Sequence, residues 1–134
     1  MSLIGRVYYK LQRTGLGLSN WWAELSGRIF DIVHGVDTSG QIAASELDVP
    51  ALLKPHAVKY QPTKIKTFMK AMGSLWIQDP EKFAFIDFGC GKGRCLLMAV
   101  GFGFGKIVGI ELSPSLAAIA RSNAEAFKRS GVRS

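Results

Sequence analysis

Residues 83–111 constrain this chain more than any other stretch: Phe-Ala-Phe-Ile-Asp-Phe-Gly-Cys-Gly-Lys-Gly-Arg, an apolar run, then Lys-Ile-Val-Gly-Ile-Glu. Residues 83–88 are apolar or aromatic except for Asp87, the pattern of a strand covered on both faces of a parallel sheet. Gly89, Gly91 and Gly93 follow; glycine takes positive φ readily and lets a ligand reach the backbone without meeting a Cβ. Over residues 94–100 the apolar spacing becomes helical. A strand, a glycine turn and a helix start leave N–H groups and the positive end of a helix dipole facing the turn, so a site for an anionic or hydrogen-bonding group is expected there.

Spacing narrows the ligand. A P-loop needs Gly-x-x-x-x-Gly-Lys-[Ser/Thr], but Ile86 stands at the first glycine and Gly93 follows Lys92. The dinucleotide fingerprint Gly-x-Gly-x-x-Gly would put its third glycine at position 94, which is Arg. What remains is acid-x-Gly-x-Gly-x-Gly (Asp87, Gly89, Gly91, Gly93), followed by a second short strand over residues 106–112 that contains Glu111 near its end. An acid at that strand tip lies beside the crevice and can accept hydrogen bonds from both hydroxyls of a ribose.

Asp-Phe-Gly-Cys-Gly-Lys-Gly-Arg with Gly-Ile-Glu-Leu-Ser-Pro after it resembles motif I and the following acidic loop of class I (Rossmann-like) S-adenosylmethionine-dependent methyltransferases. The resemblance covers residues 60–128, and within that superfamily Gly-Lys-Gly-Arg and the earlier Tyr60-Gln61-Pro62-Thr63 are most similar to small bacterial enzymes distantly like the non-SET histone-lysine type. It implies S-adenosylmethionine as cofactor, with Gly89 and Gly91 under its methionine portion, Asp87 ordering the turn near the amino end, and Glu111 on the ribose. Gly93 and Cys90 belong to the same turn, and Tyr60 is placed at the pocket wall. Cys90 has no evident base beside it and reads as a small residue tolerated between glycines rather than as a nucleophile.

The fold expected is α/β: the N-terminal portion of a Rossmann-like methyltransferase sheet, two parallel strands with helices, preceded by a helical segment. Residues 1–55 read as a helical extension and linker, and residues 56–134 as a partial S-adenosylmethionine-binding domain. In the family the first strand is flanked on one side by the second and on the other by a fourth that would lie past residue 134. An apolar strand built to be central would then keep an open edge, which natural proteins avoid, so the expectation is the N-terminal half of a methyltransferase, its acceptor, protein or other, not named by these residues. The alternative is a self-sufficient chain whose N-terminal segments cover that edge.

Other function classes follow from composition. The net charge is +7, with Arg6, Lys10 and Arg13 in one acid-free stretch and Lys54, Lys59, Lys64, Lys66 and Lys70 in another; such surfaces favour polyanions, though lysines at these spacings also describe an ordinary solvated helix face. A non-catalytic protein binding nucleic acid or a membrane surface therefore stands as an alternative, beside a fragment of an NAD(P)-binding oxidoreductase. Two cysteines, Cys90 and Cys95, and two histidines, His34 and His56, make neither a disulfide scaffold nor a zinc cluster, and a reduced, cytoplasmic setting is expected. No run reaches the roughly 18 apolar residues of a membrane span, and the opening residues lack the order of a signal peptide.

Along the chain, Leu3, Ile4, Val7, Tyr8 and Leu11 recur at helical spacing, and residues 14–19 read as a loop. Ser19 or Asn20 caps a second helix whose apolar residues are Trp21, Trp22, Leu25, Ile29, Phe30 and Val33, stopping before Gly35. Pro50 and Pro55 allow at most single helical turns in the irregular stretch that follows. Thr63 is placed as the cap of a helix over residues 64–76 with Ile65, Phe68, Met69, Met72 and Leu75 inward. Ser113 caps the last helix, with Pro114 at its first position and Leu116, Ile119, Ala120 and Ala124 on one face, and residues 129–134 form a frayed end.

Overall fold

The computed structural model describes residues 20–129; the amphipathic helix expected over residues 3–11, the loop over 14–19 and residues 130–134 lie outside them. The described chain is mixed α/β. Helix α1 is Asn20–His34, followed by single 3-10 turns at Ala44–Glu46 and Lys54–His56 and by α2, Ile65–Gly73. A further turn, Pro80–Lys82, leads into β1, Ala84–Phe88; then come α3, Arg94–Ala99, β2, Lys106–Ile110, and α4, Pro114–Arg129.

β1 and β2 pair in parallel, from Ala84 opposite Lys106 to Phe88 opposite Ile110. Because side chains alternate between faces along a strand, Phe85 and Ile107 share one face and Ile86, Phe88 and Ile110 the other. The first face is the core side: Phe85 and Ile107 pack on Ile65, Phe68, Met72, Met98 and Ala99. The Phe68 ring meets Phe85 and Phe102 edge-on, at centroid distances of 5.9 and 6.0 Å, a favoured arrangement of ring quadrupoles. The second face is open, with Ile86 50%, Phe88 77% and Ile110 44% exposed. The expectation that residues 83–88 are covered on both faces is therefore met on one face only, because the described helices leave the other bare. No strand among the described residues pairs with the outer edge of β1.

The helices differ from expectation in ways that matter to the site. α1 runs to His34, but Ile29 and Val33 are 42% and 44% exposed; the residue it buries is Gly27, whose missing side chain admits the Arg94 guanidinium. α2 stops at Gly73 rather than near residue 76, leaving Leu75 and Trp76 exposed. Glycine weakens the helix there, and the Ser74 hydroxyl turns back to donate to the Ala71 carbonyl. Its cap is Lys64, in extended conformation and without a side-chain hydrogen bond, not Thr63. α4 begins at Pro114 as expected, and the Leu116 N–H reaches the Ser113 hydroxyl at 3.3 Å. Its buried stripe is Leu116, Ala120, Asn123 and Phe127, with Ile119 and Ala124 only half-buried.

No helix among the described residues is long and apolar enough to cross a membrane. The two faces of β1 give a contrast in stability. Phe68→Ala, which empties part of the core, is expected to lower the unfolding free energy by roughly 3–5 kcal/mol, whereas Phe88→Ser on the bare face should change it by no more than about 0.5 kcal/mol. Urea denaturation of both variants checks this; equal losses would mean that both faces are covered in solution.

Candidate functional site

Gly89, Gly91 and Gly93 all have positive φ, 78°, 54° and 88°, so the turn after β1 winds through a conformation that other residues adopt only with strain. Its amides point inward. The N–H groups of Gly89 and Cys90 both donate to the Ile110 carbonyl, at 2.7 and 3.1 Å, and that of Gly93 donates to the Cys90 carbonyl at 2.8 Å. The Gly91 N–H donates to Glu111 Oε2 at 2.7 Å. Four of the five N–H groups from Gly89 to Gly93, expected to face a ligand, are thus taken up by the protein itself, because β2 and Glu111 lie close enough to receive them.

What the turn does present is acid. Glu111 uses one oxygen on Gly91 and the other on the Ser113 N–H, at 2.9 Å, bracing the turn against the start of α4. Asp87, half-buried beside it, receives no hydrogen bond to its carboxylate among the described residues. Burial, and secondarily the charge of Glu111, hold the Asp87 carboxyl above its ordinary value. A carboxylate removed from water without a donor is unfavourable, so this corner of the turn is short of hydrogen-bond donors and of positive charge.

Cys90 turns under the loop toward β2. A Cβ at Gly109 would lie 2.7 Å from its sulfur and 2.5 Å from Leu96 Cδ1, so Gly109 is the residue that lets the turn settle onto the strand. Burial, then the charges of Asp87 and Glu111, push the Cys90 thiol up to about 11, which suppresses the thiolate a nucleophile needs.

Tyr60 covers the turn from above. Its ring occupies the space a Gly91 side chain would take, its hydroxyl donates to the Thr38 carbonyl at 2.7 Å, and burial raises its pKa well above the tyrosine range. Lys92 Nζ lies 5.7 Å from the ring centroid. The open side of Gly91, assigned from sequence to the ligand, is thus filled by Tyr60, whereas a Cβ at Gly89 would meet nothing within 4 Å. Asp87, Gly89 and Glu111 border that remaining approach.

The cover is tied down by polar contacts between residues far apart in the chain. Arg94, whose side chain is 5% exposed, donates from Nε to Thr38 Oγ1 at 2.7 Å and from Nη2 to Ser39 Oγ at 2.8 Å. Asp31 on α1 accepts the Thr38 and Ser39 N–H groups at 2.9 and 2.7 Å and the Thr38 hydroxyl at 2.5 Å. Lys92 Nζ donates to Asp37 at 2.9 Å and to the Ser39 carbonyl at 3.0 Å. Asn123 on α4 accepts the Asp37 N–H and donates to the carbonyls of Asp37 and Lys92. Farther along, Asp48 accepts the Ser115 N–H and the hydroxyls of Ser113 and Ser115, and these bonds hold its carboxyl below the usual range. Asp31, Asp48 and Asn123 went unnoticed in the sequence; Thr38 was legible only as part of the turn over residues 37–40, and Gly109 as a glycine inside an apolar strand.

Comparison of this chain with protein-family models, with curated proteins and with solved structures returns no match.

The Asp87 environment has a signed consequence. Its folded pKa is raised, so the folded state binds more protons than the unfolded state between the ordinary and raised values, and stability falls as pH rises through that window. Asp87→Asn removes the charge and is expected to raise the melting midpoint at pH 7, with the gain shrinking as pH falls through that window and gone below the ordinary aspartate value. Melts across pH check this; a variant less stable at neutral pH would mean that the carboxylate has a donor in solution.

Proposed function

We propose that this chain carries the cofactor half-site of a class I, Rossmann-like S-adenosylmethionine-dependent methyltransferase. The observation that carries the reading is the half-buried Asp87 carboxylate, without a donor among the described residues, beside Glu111 on a glycine turn in which the Gly89, Cys90, Gly91 and Gly93 amides are already occupied. Such a turn repels a pyrophosphate, which needs free N–H groups, and attracts a ligand that brings donors and positive charge. S-adenosylmethionine has both, in its ammonium, its sulfonium and its ribose hydroxyls. The parallel β1–β2 pair with α3 between its strands and an acid just past β2 is the arrangement the sequence resemblance implies for this cofactor.

The residues present fit the group. Gly89 leaves an open approach. Each oxygen of Glu111 holds one backbone N–H, and a carboxylate oxygen accepts two hydrogen bonds, so each keeps one position for a ribose hydroxyl. Asp87 would take the ammonium, directly or through water. Tyr60 and Thr38 would exclude solvent from the other side of the turn, and Gly91 would keep Glu111 aimed. The cofactor supplies a methyl group activated on sulfur; the chain's own part is orientation and a dry wall. An NAD(P)-binding reading finds no support at this turn, because a pyrophosphate would face two acids instead of amides.

A ligand that binds only the folded state stabilises it by mass action, by about 2.7 kcal/mol at a hundred times its dissociation constant, and so raises the melting midpoint. Melts of the chain with S-adenosylmethionine and with NAD test the assignment. The midpoint is expected to rise with the first and not with the second, and Glu111→Ala should abolish the rise. A cooperative melt that ignores S-adenosylmethionine, or that responds to NAD alone, would remove the methyltransferase reading.

A further inference from the structure

A second concavity lies away from the glycine turn, between the first turns of α1, the loop over residues 39–41 and the entry to α2. It has a volume of about 380 Å³, and Glu24, Arg28, Gln61, Lys64 and Arg94 are among its lining residues. That volume falls within the range of small-molecule sites. Asp87, Gly89 and Glu111 do not line it. Thr38, fully buried, stands between the two places, taking Arg94 on its hydroxyl and Tyr60 on its carbonyl.

The charge in this cleft is one-sided. Three cationic side chains face one carboxylate, Glu24. Arg94 is the informative member, because a buried guanidinium has five N–H donors to satisfy. Nε and one Nη2 donor are used on the hydroxyls of Thr38 and Ser39. Its only carboxylate neighbour among the described residues, Asp31, is 3.7 Å from Nη2, beyond a hydrogen bond, and already accepts two N–H groups and a hydroxyl from residues 38 and 39. Nη1 has no acceptor among the described residues; it lies against Gly27, where a Cβ would be 2.8 Å away. A planar fork with unfilled donors matches the two oxygens of a carboxylate or phosphate better than any neutral ligand, and leaving a buried charge partly compensated is costly.

We infer that this cleft is a binding site for a small oxyanion-bearing molecule, a carboxylate or a phosphate ester, anchored by Arg94 with Arg28 and Lys64 at the rim. Glu24 sits at the same rim and selects against polyanions by repulsion. The site stands independently of the cofactor reading, since no residue assigned to the cofactor lines it except through the wall at Thr38.

Calorimetric titration of the full chain with succinate, with inorganic phosphate and with neutral succinamide tests it. One of the two anions is expected to saturate at or below about 10 mM while succinamide does not, and which anion binds more tightly tells a carboxylate ligand from a phosphate. Arg28→Gln and Lys64→Gln, both at exposed positions, should each weaken that binding by roughly threefold to tenfold, the range of one charge-assisted contact at a partly exposed rim, with a thermal melt of each variant confirming that it is folded. Absence of saturable heat with both anions, or binding unmoved by both substitutions, overturns the inference. S-adenosylmethionine titrated into the same protein keeps the two proposals apart: its failure to bind would remove the cofactor reading and leave the anion result standing.

Discussion

The structure depends on how one buried cation is accommodated. Arg94 directly follows the glycine turn and is almost wholly buried, a position a guanidinium tolerates only when hydrogen-bonded and offset by charge. The partners come from elsewhere in the chain: Gly27 makes room on α1, Asp31 one turn later supplies the charge, and Thr38 and Ser39 supply hydroxyls. Satisfying Arg94 therefore draws α1 and the loop after it onto the turn. Thr38 then holds the Tyr60 hydroxyl, and the Tyr60 ring fills the space beside Gly91. Polar contacts thus tie the N-terminal half of the described chain to the glycine turn.

Those contacts set the chemistry of the turn. With Tyr60 above and β2 below, the amides of Gly89, Cys90, Gly91 and Gly93 find partners inside the protein. A glycine turn before a helix usually suggests an anion site, because amides are left over; here those four are taken. What is left over is the Asp87 carboxylate. On the reading proposed above, the same backbone shape would favour donors and positive charge over phosphate, through the placement of two acids and one tyrosine. On the far side of Thr38, Arg28, Lys64 and Arg94 line a separate cleft.

Much of this was legible in the sequence where the signal is local. The strand, the glycine turn, the second strand with its terminal acid and the Ser-Pro start of α4 all depend on residues within a few positions of one another, and all fall where the pattern puts them. Periodicity served less well where a helix buries a polar face. α1 was read from its bulky residues, of which Phe30 packs on the core, yet it also turns Gly27 inward against a guanidinium and leaves Ile29 and Val33 exposed. The polar anchors were invisible for the same reason: Asn123 meets Asp37 across 86 positions and Arg94 meets Thr38 across 56, and no local rule marks such pairs. The assumption that amides would face the ligand failed because it treated the turn without its cover.

The claim that Asp87 waits for a donor is tested most directly by following its side-chain carboxyl by NMR through an acid titration, with and without S-adenosylmethionine. The account expects a pKa above the ordinary aspartate value in the free chain that falls when the ligand is added, because a positive donor beside the carboxylate favours its charged form. An ordinary pKa in the free chain, or a raised one that the ligand leaves unchanged, would contradict it.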